Sequence, residues 1–295
     1  FFYNILFHYS VFKIKFIFSQ LVKDFSKAKT ISTFWKYLLF FILTSIIISK
    51  QSRRKIMKLI IEENEIAMSE SAMHIILGAM MQDKRVNISH TSGKSPIQMY
   101  KMLVPKVKDK DQFKNIHYYV FDDAPYPNQE HGPIWDEMQE LFFEKANIPA
   151  SQIHAPTNEN WNTFDEEIDK AGGIDVMVIG LGYDGHFCSN SPKVTPLDSY
   201  TYQIDRAWRR TILPHYNSNP EIPYTLTMGP KSLMKVKHLV MIVNGVHKAQ
   251  ILRDMLESEV SNELPASVLK LHPNFTIIAD KDAASLLNME NYTRL

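Results

Sequence analysis

The segment Gly180-Leu-Gly-Tyr-Asp-Gly-His186 follows the apolar run Asp175–Ile179 and sets a carboxylate and an imidazole on either side of one glycine. A carboxylate beside an imidazole fixes its orientation and tautomer and favours its charged form, which suits proton transfer to an oxygen. Asp184 and His186 are therefore candidate proton-transfer groups. The same glycines spell Gly-x-Gly-x-x-Gly at 180, 182 and 185, with Asp205 further along as a candidate ribose ligand. A dinucleotide fingerprint needs its glycines to open a helix, whereas Ser189-Asn-Ser-Pro-Lys-Val-Thr-Pro196 is loop chemistry, so this reading is rejected.

Two further segments hold chemistry. Thr91-Ser-Gly-Lys-Ser-Pro96 lies between a strand-like run and an amphipathic stretch starting at Ile97. A glycine for close backbone approach, flanking hydroxyls and a proline in the first helical turn describe an anion site, for which phosphate is the expected guest. An ordinary strand-to-helix turn capped by Ser95 has the same composition, and the segment alone favours neither. It is not a Walker loop, which needs four residues between its glycines. Asp122-Asp123 ends the run His117–Phe121. One of two acids at a strand end can act as a general base while the backbone holds the other. A solvated acidic turn before Pro125 is the commoner origin of such a pair.

The elements that position these residues follow from periodicity. Lys58–Glu62, Val86–His90, His117–Phe121, Asp175–Ile179, His238–Val243 and Phe275–Ala279 read as strands, several apolar throughout, as in parallel strands covered on both faces. Ile66–Met81, Ile97–Leu103, Ile134–Lys145, Lys248–Leu256 and Ala283–Leu287 read as helices between them. The alternation implies a single α/β domain with a doubly wound, mostly parallel, Rossmann-like sheet whose ligand site lies beyond the carboxyl ends of the strands.

Residues 1–56 stand apart. They carry 10 Lys and Arg against the single acid Asp24, and 36 of the 56 are Phe, Tyr, Ile, Asn, Lys or Leu, the types that A/T-only codons favour. Met57 is the first methionine and directly precedes the first strand, so residues 1–56 read as translated upstream sequence and 57–295 as the protein proper. A membrane anchor at Phe34–Ile48 is the competing reading, but the run contains Lys36 and falls short of the roughly 20 residues that span a bilayer. The whole chain carries +1, so the other 239 residues carry −8, a poor balance for non-specific nucleic-acid binding. One cysteine, Cys188, excludes a disulfide framework and points to a reducing, cytoplasmic setting. Histidines 131, 154, 215, 238, 247 and 272 show no paired ligand spacing, so neither a metal site nor a cofactor is expected.

Taken together, Ser-Gly-Lys-Ser-Pro at 92–96, Phe121-Asp-Asp123, Gly180-Leu-Gly-Tyr-Asp-Gly-His186, Val243-Asn-Gly-Val-His-Lys-Ala249, Leu264-Pro-Ala-Ser and Leu271-His-Pro273 resemble the glucosamine-6-phosphate deaminase/isomerase and 6-phosphogluconolactonase superfamily. Leu-His-Pro, and the lack of the lactonase Asp-Glu-Arg pattern, tilt the resemblance towards the amino-sugar branch. It implies that Asp122 moves a proton between C1 and C2 of an open-chain sugar. It implies also that His186, with Asp184 behind it, opens the sugar ring. Ser92, Gly93, Lys94, Ser95 and Lys248 would hold the phosphate, joined by Arg209 or Arg210.

Two positions depart from the family pattern. Asn190-Ser191-Pro192 has a serine where the deaminases carry a glutamate that completes the ring-opening relay, and a hydroxyl cannot supply that negative charge. Lys94 stands where many members have a second glycine. The expectation is a metal-free hexosamine 6-phosphate isomerase or deaminase, with a lactonase-like hydrolase or a weakly catalytic sugar-phosphate sensor as alternatives. The sequence leaves the sugar epimer and self-association open.

Overall fold

The computed structural model describes residues 57–205, 222–289 and 292. Residues Ile56–Leu295 constitute one compact unit. The reading of residues 1–56 falls outside the described residues. Among the described residues ten strands are numbered in chain order. Seven form a parallel sheet: β1 (Lys58–Glu62), β2 (Val86–His90), β3 (Ile116–Val120), β5 (Ile153–His154), β6 (Val176–Gly180), β9 (Leu239–Val243) and β10 (Phe275–Asp280), in the order β1-β10-β9-β6-β2-β3-β5. The other three, β4 (Asp122–Asp123), β7 (Tyr202–Asp205) and β8 (Tyr224–Thr227), form a small antiparallel sheet in the order β4-β8-β7.

The continuous apolar strands are buried on both faces, as the parallel reading requires. Along β9, Leu239, Met241 and Val243 join one core while Val240 and Ile242 join the other; β6 splits likewise, Met177 and Ile179 against Val176 and Val178. Helices α1 (Glu65–Met80), α2 (Ile97–Val107) and α3 (Pro133–Met138) cover the second face. Helices α4 (Phe164–Lys170) and α6 (Ala249–Glu257) cover the first, and α5 (Pro230–Leu233) is a single turn. In α1 the buried residues Met68, Ala72, Met73, Ile76 and Met80 recur at helical spacing. Asn64 caps it, its side chain accepting from the N–H groups of Ile66 and Ala67 at 3.0 and 3.1 Å.

Several boundaries differ from the sequence reading. Helix α2 runs past Pro105 to Val107. The stretch after Met138 continues as a π-turn, Gln139–Phe143, and Ala283–Leu287 forms turns. Among the described residues no helix is long and apolar enough to cross a membrane.

Candidate active site

From β2 the chain winds outward to β3 and β5, whereas from β6 it winds the opposite way to β9 and β10. Strands β2 and β6 are neighbours, Ile88 opposite Val176, so the winding reverses between them. A crevice opens at the carboxyl ends of strands at such a reversal, and it is where open α/β sheets bind ligands. Thr91–Pro96 leaves β2 there and Leu181–Pro192 leaves β6. Asp122 follows β3 on one side, and Asn244–Lys248 follows β9 on the other.

The loop after β6 is a turn built around His186. Gly182 donates its N–H to the His186 carbonyl at 2.8 Å, and Gly185 donates to the Gly182 carbonyl at 3.0 Å. Oδ1 of Asp184 accepts the His186 backbone N–H at 3.1 Å and lies 2.5 Å from Nδ1 of the ring. Burial alone would raise the Asp184 carboxyl, but its bonds and charge interaction with His186 outweigh this and bring it down to about 2. An ionised carboxylate only accepts, so Nδ1 carries a proton in either charge state of the ring, and Nε2 is the nitrogen that gains or loses one. The glycines have separate physical reasons. A Cβ on Gly182 would fall 2.1 Å from Nδ1 of His186, so the imidazole needs that space. Gly185 adopts φ +86°, and a Cβ there would meet Leu264 at 2.0 Å, so Leu264 of Leu264-Pro-Ala-Ser packs against this turn.

The adjacent acids are both buried, so they do not form a solvated acidic turn, and the backbone holds one of them. Asp123 is fully buried, accepting the N–H groups of Ala124 and Gly132 at 2.8 Å each and of Trp135 at 3.2 Å, so it shapes the loop into α3. Asp122 is 5% exposed, and its Oδ2 accepts the Ser189 hydroxyl at 2.7 Å. Ser189 lies three residues past His186, so this bond ties the end of β3 to the loop of the imidazole. The neighbouring Cys188 thiol is pushed well up by burial and by the charge of Asp122.

The expected phosphate groups lie on two loops. Gly93 has φ +90°, as a tight turn requires. Burial raises the carboxyl of Glu137, from α3, against the opposing pull of the Gly93 N–H and Ser92 hydroxyl that face it. Lys94 is exposed and keeps a negative φ, so it replaces a glycine without strain. Ser95 does not cap α2; Pro96 occupies the cap position with no side-chain bond. The Lys248 ammonium donates to the Leu181 carbonyl at 2.6 Å and lies 5.8 Å from the Tyr183 ring centre. Burial lowers its pKa, and the charge of Asp184 opposes that. Lys248 is thereby joined to the β6 loop. Arg209 and Arg210 lie outside the described residues.

Ser191 is 1% exposed and donates to the Ser189 carbonyl at 3.2 Å, within the same turn. The position is thus filled by a loop-bracing hydroxyl.

A family model described as glucosamine-6-phosphate isomerases/6-phosphogluconolactonase matches residues 62–277. The chain belongs to this family. A glucosamine-6-phosphate deaminase of Thermoanaerobacter pseudethanolicus is 31% identical over 247 residues, covering 80% of this chain and 97% of that one. One of Shouchella clausii is 28% identical over 241 residues, covering 78% and 97%. Among solved structures, a monomeric glucosamine-6-phosphate deaminase superposes with a TM-score of 0.67 at 24% identity, covering 78% of this chain and all of that one. A 6-phosphogluconolactonase from Trypanosoma cruzi gives 0.61 at 16%, covering 79% and 97%. These two likenesses bear on the fold, which both branches of the family share.

Within the family frame, sequence reasoning missed the residues that hold the site in place. Asp280, at the end of β10, accepts the Gly245 N–H with both oxygens, at 3.0 and 2.9 Å, and the Ala283 N–H at 2.7 Å, fixing the loop of Lys248. Thr227 of β8 pairs opposite Asp122 and accepts the Ser189 N–H at 3.2 Å. Asn190 donates to the Met228 carbonyl at 2.8 Å. A lone Asp at a strand end was the only available signal, and only for Asp280.

Proposed function

We propose that this protein is a hexosamine 6-phosphate isomerase/deaminase that works by proton shuttling and needs no metal or cofactor. The observation that carries the reading is the Ser189–Asp122 hydrogen bond, which links the Asp122 carboxylate to the loop of the Asp184–His186 pair at the crevice. Ring opening moves a proton from the C1 hydroxyl and delivers one to the ring oxygen, and Nε2 of His186 is the carrier. Asp184 keeps Nδ1 protonated and the ring in place. Asp122 then takes the C2 proton of the open chain and returns it to C1, turning an aldose into a ketose or its imine. Water replaces the nitrogen of the imine and ammonia leaves. The phosphate is held by Ser92, Gly93, Lys94, Ser95 and Lys248, with Arg209 or Arg210. The relatives' names support the sugar and the reaction.

Ser191, in place of a carboxylate, favours a second reading. The same imidazole can activate water against a sugar lactone phosphate. The catalytic unit is Met57–Leu295, working in the cytoplasm on a small molecule and not on nucleic acid. Purified protein is to be assayed on glucosamine 6-phosphate and galactosamine 6-phosphate for ammonia and ketose phosphate, and on 6-phosphogluconolactone for hydrolysis. Ammonia release supports the deaminase; lactone hydrolysis alone replaces it with the lactonase. Thermal stabilisation by these ligands without turnover indicates a sensor.

A further inference from the structure

The general-base reading of Asp122 leaves unexplained how its carboxylate keeps one orientation. The terminal torsion of an aspartate is broad and roughly two-fold, so the side chain has no strong preference of its own. Its backbone is fixed, since Asp122 pairs with Thr227 in the small sheet. Its Oδ2 is held by the Ser189 hydroxyl at 2.7 Å, between residues that are 5% and 1% exposed. In so dry a setting a bond to an ionised group is strong and directional.

Ser189 is itself held from several sides. Its N–H donates to Oγ1 of Thr227 at 3.2 Å, and its carbonyl accepts the Ser191 hydroxyl at 3.2 Å. The next residue, Asn190, donates to the Met228 carbonyl at 2.8 Å and accepts from the Tyr202 hydroxyl at 3.2 Å. Cys188, just before it, is held at φ +50°, a left-handed conformation unfavourable for a residue with a side chain. Strain of this kind persists where the surroundings over-determine it, and it clusters at functional sites.

We infer that Ser189 is a positioning residue that sets the carboxylate plane of Asp122 for the C1–C2 proton transfer, with Thr227 as the common anchor of both. The inference rests on the function proposed above and deepens it. Ser191 then also has a role, because its hydroxyl braces the Ser189 carbonyl in place of a relay carboxylate.

The test follows exchange in D2O by NMR of the C2 proton of glucosamine 6-phosphate and of a C1 proton of fructose 6-phosphate. Ser189→Ala should lower kcat for exchange by about 10- to 100-fold, the scale of one hydrogen bond to a charged group, with KM within about twofold. Thermal unfolding should show the variant folded. Ser189→Thr and Ser189→Val have the same shape and differ in the hydroxyl, so the threonine should retain most of the exchange rate that the valine loses. Equal rates in that pair, or an effect confined to KM, overturn the inference even if Ser189→Ala does not fold. Wild-type protein that exchanges neither the C2 proton of glucosamine 6-phosphate nor a C1 proton of fructose 6-phosphate overturns the isomerase reading, and the inference falls with it. Exchange in the wild type at the rate of Ser189→Ala overturns the inference alone.

Discussion

Nδ1 of His186 sits 2.5 Å from Oδ1 of Asp184, and that same oxygen receives the His186 backbone N–H at 3.1 Å. One carboxylate oxygen thus sets both the tautomer of the ring and the turn that carries it. Asp184→Asn should preserve the turn and an acceptor for Nδ1 but remove the negative charge that supports the protonated ring. We expect kcat to fall by about 100-fold or more with KM little changed, since the imidazole is then a weaker base. Steady-state kinetics on a cyclic sugar phosphate check this. A change confined to KM would place the ring outside the chemistry.

Gly182→Ala should act on the same ring by volume. Its Cβ would lie 2.1 Å from Nδ1, so the imidazole must leave its position. Activity should fall on the order of 100-fold, the usual cost of misplacing a reacting group by an ångström. The NMR resonances of His186 should move, while far-ultraviolet circular dichroism should not.

Glu137 offers a test of the anion loop. Its carboxyl faces the Ser92 hydroxyl and the Gly93 N–H, the groups expected to receive phosphate. Replacing it by Gln removes a like charge from that loop, so Glu137→Gln should tighten binding of inorganic phosphate and of sugar phosphate by about five- to tenfold. Lys248→Ala should weaken both by about 1.5 to 3 kcal/mol. Calorimetric titration measures the two. Unchanged affinity in both variants would move the phosphate away from these loops.

Stability should fall in two acid windows. His90 is 3% exposed among Tyr100, Tyr118 and Phe142, neither ring nitrogen has a partner among the described residues, and burial lowers its pKa from 6.5 to about 3. Between those values the unfolded chain binds a proton that the folded chain does not, so stability drops as pH falls, by up to about 1.4 kcal/mol per pH unit. Asp184, lowered from 3.8 to about 2, contributes stability above 3.8 that is lost as pH falls through about 2. Urea unfolding from pH 7 to pH 2 reads both. His90→Phe should flatten the first window without abolishing it, because burial also lowers His117, to about 4.

Ser191→Glu would put a carboxylate where the deaminase pattern has one. The site is 1% exposed and its hydroxyl braces Ser189, so the larger, charged side chain should destabilise the protein by about 1 to 3 kcal/mol. Ammonia release should not rise. A gain in ammonia release with unchanged stability would show that the loop can admit a third relay group.

The seven-strand sheet was partly legible because burial on both faces leaves its mark in uninterrupted apolar runs such as Leu239–Val243. Two-residue strands carry no such mark: Asp122–Asp123 and Ile153–His154 are strands through their neighbours alone. Phe164–Lys170 is acidic and shows only Phe164 and Ile168 to the core, too little periodicity to announce a helix. In the site, glycine spacing disclosed the Asp184–His186 turn, since such close approaches exclude other residues. Ser189 was invisible, because an unremarkable serine acquires its part only when β3 and the β6 loop meet. Asp280 was hidden for the same reason, its amide partners lying on another strand's loop.

The small antiparallel sheet has a consequence for the order of synthesis. Thr227, which backs Asp122 and grips Ser189, leaves the ribosome long after both of them, and the first strand of the large sheet pairs with the last, Lys58 opposite Thr276. These contacts are distant in sequence and cannot close until nearly the whole chain is out, which makes folding slow relative to local helix formation. A chain interrupted before Tyr224 would hold every residue of the Asp184–His186 turn and still lack the wall that aims its partner acid. A chain ended before Tyr224 is therefore expected to bind no sugar phosphate productively and to exchange no sugar proton.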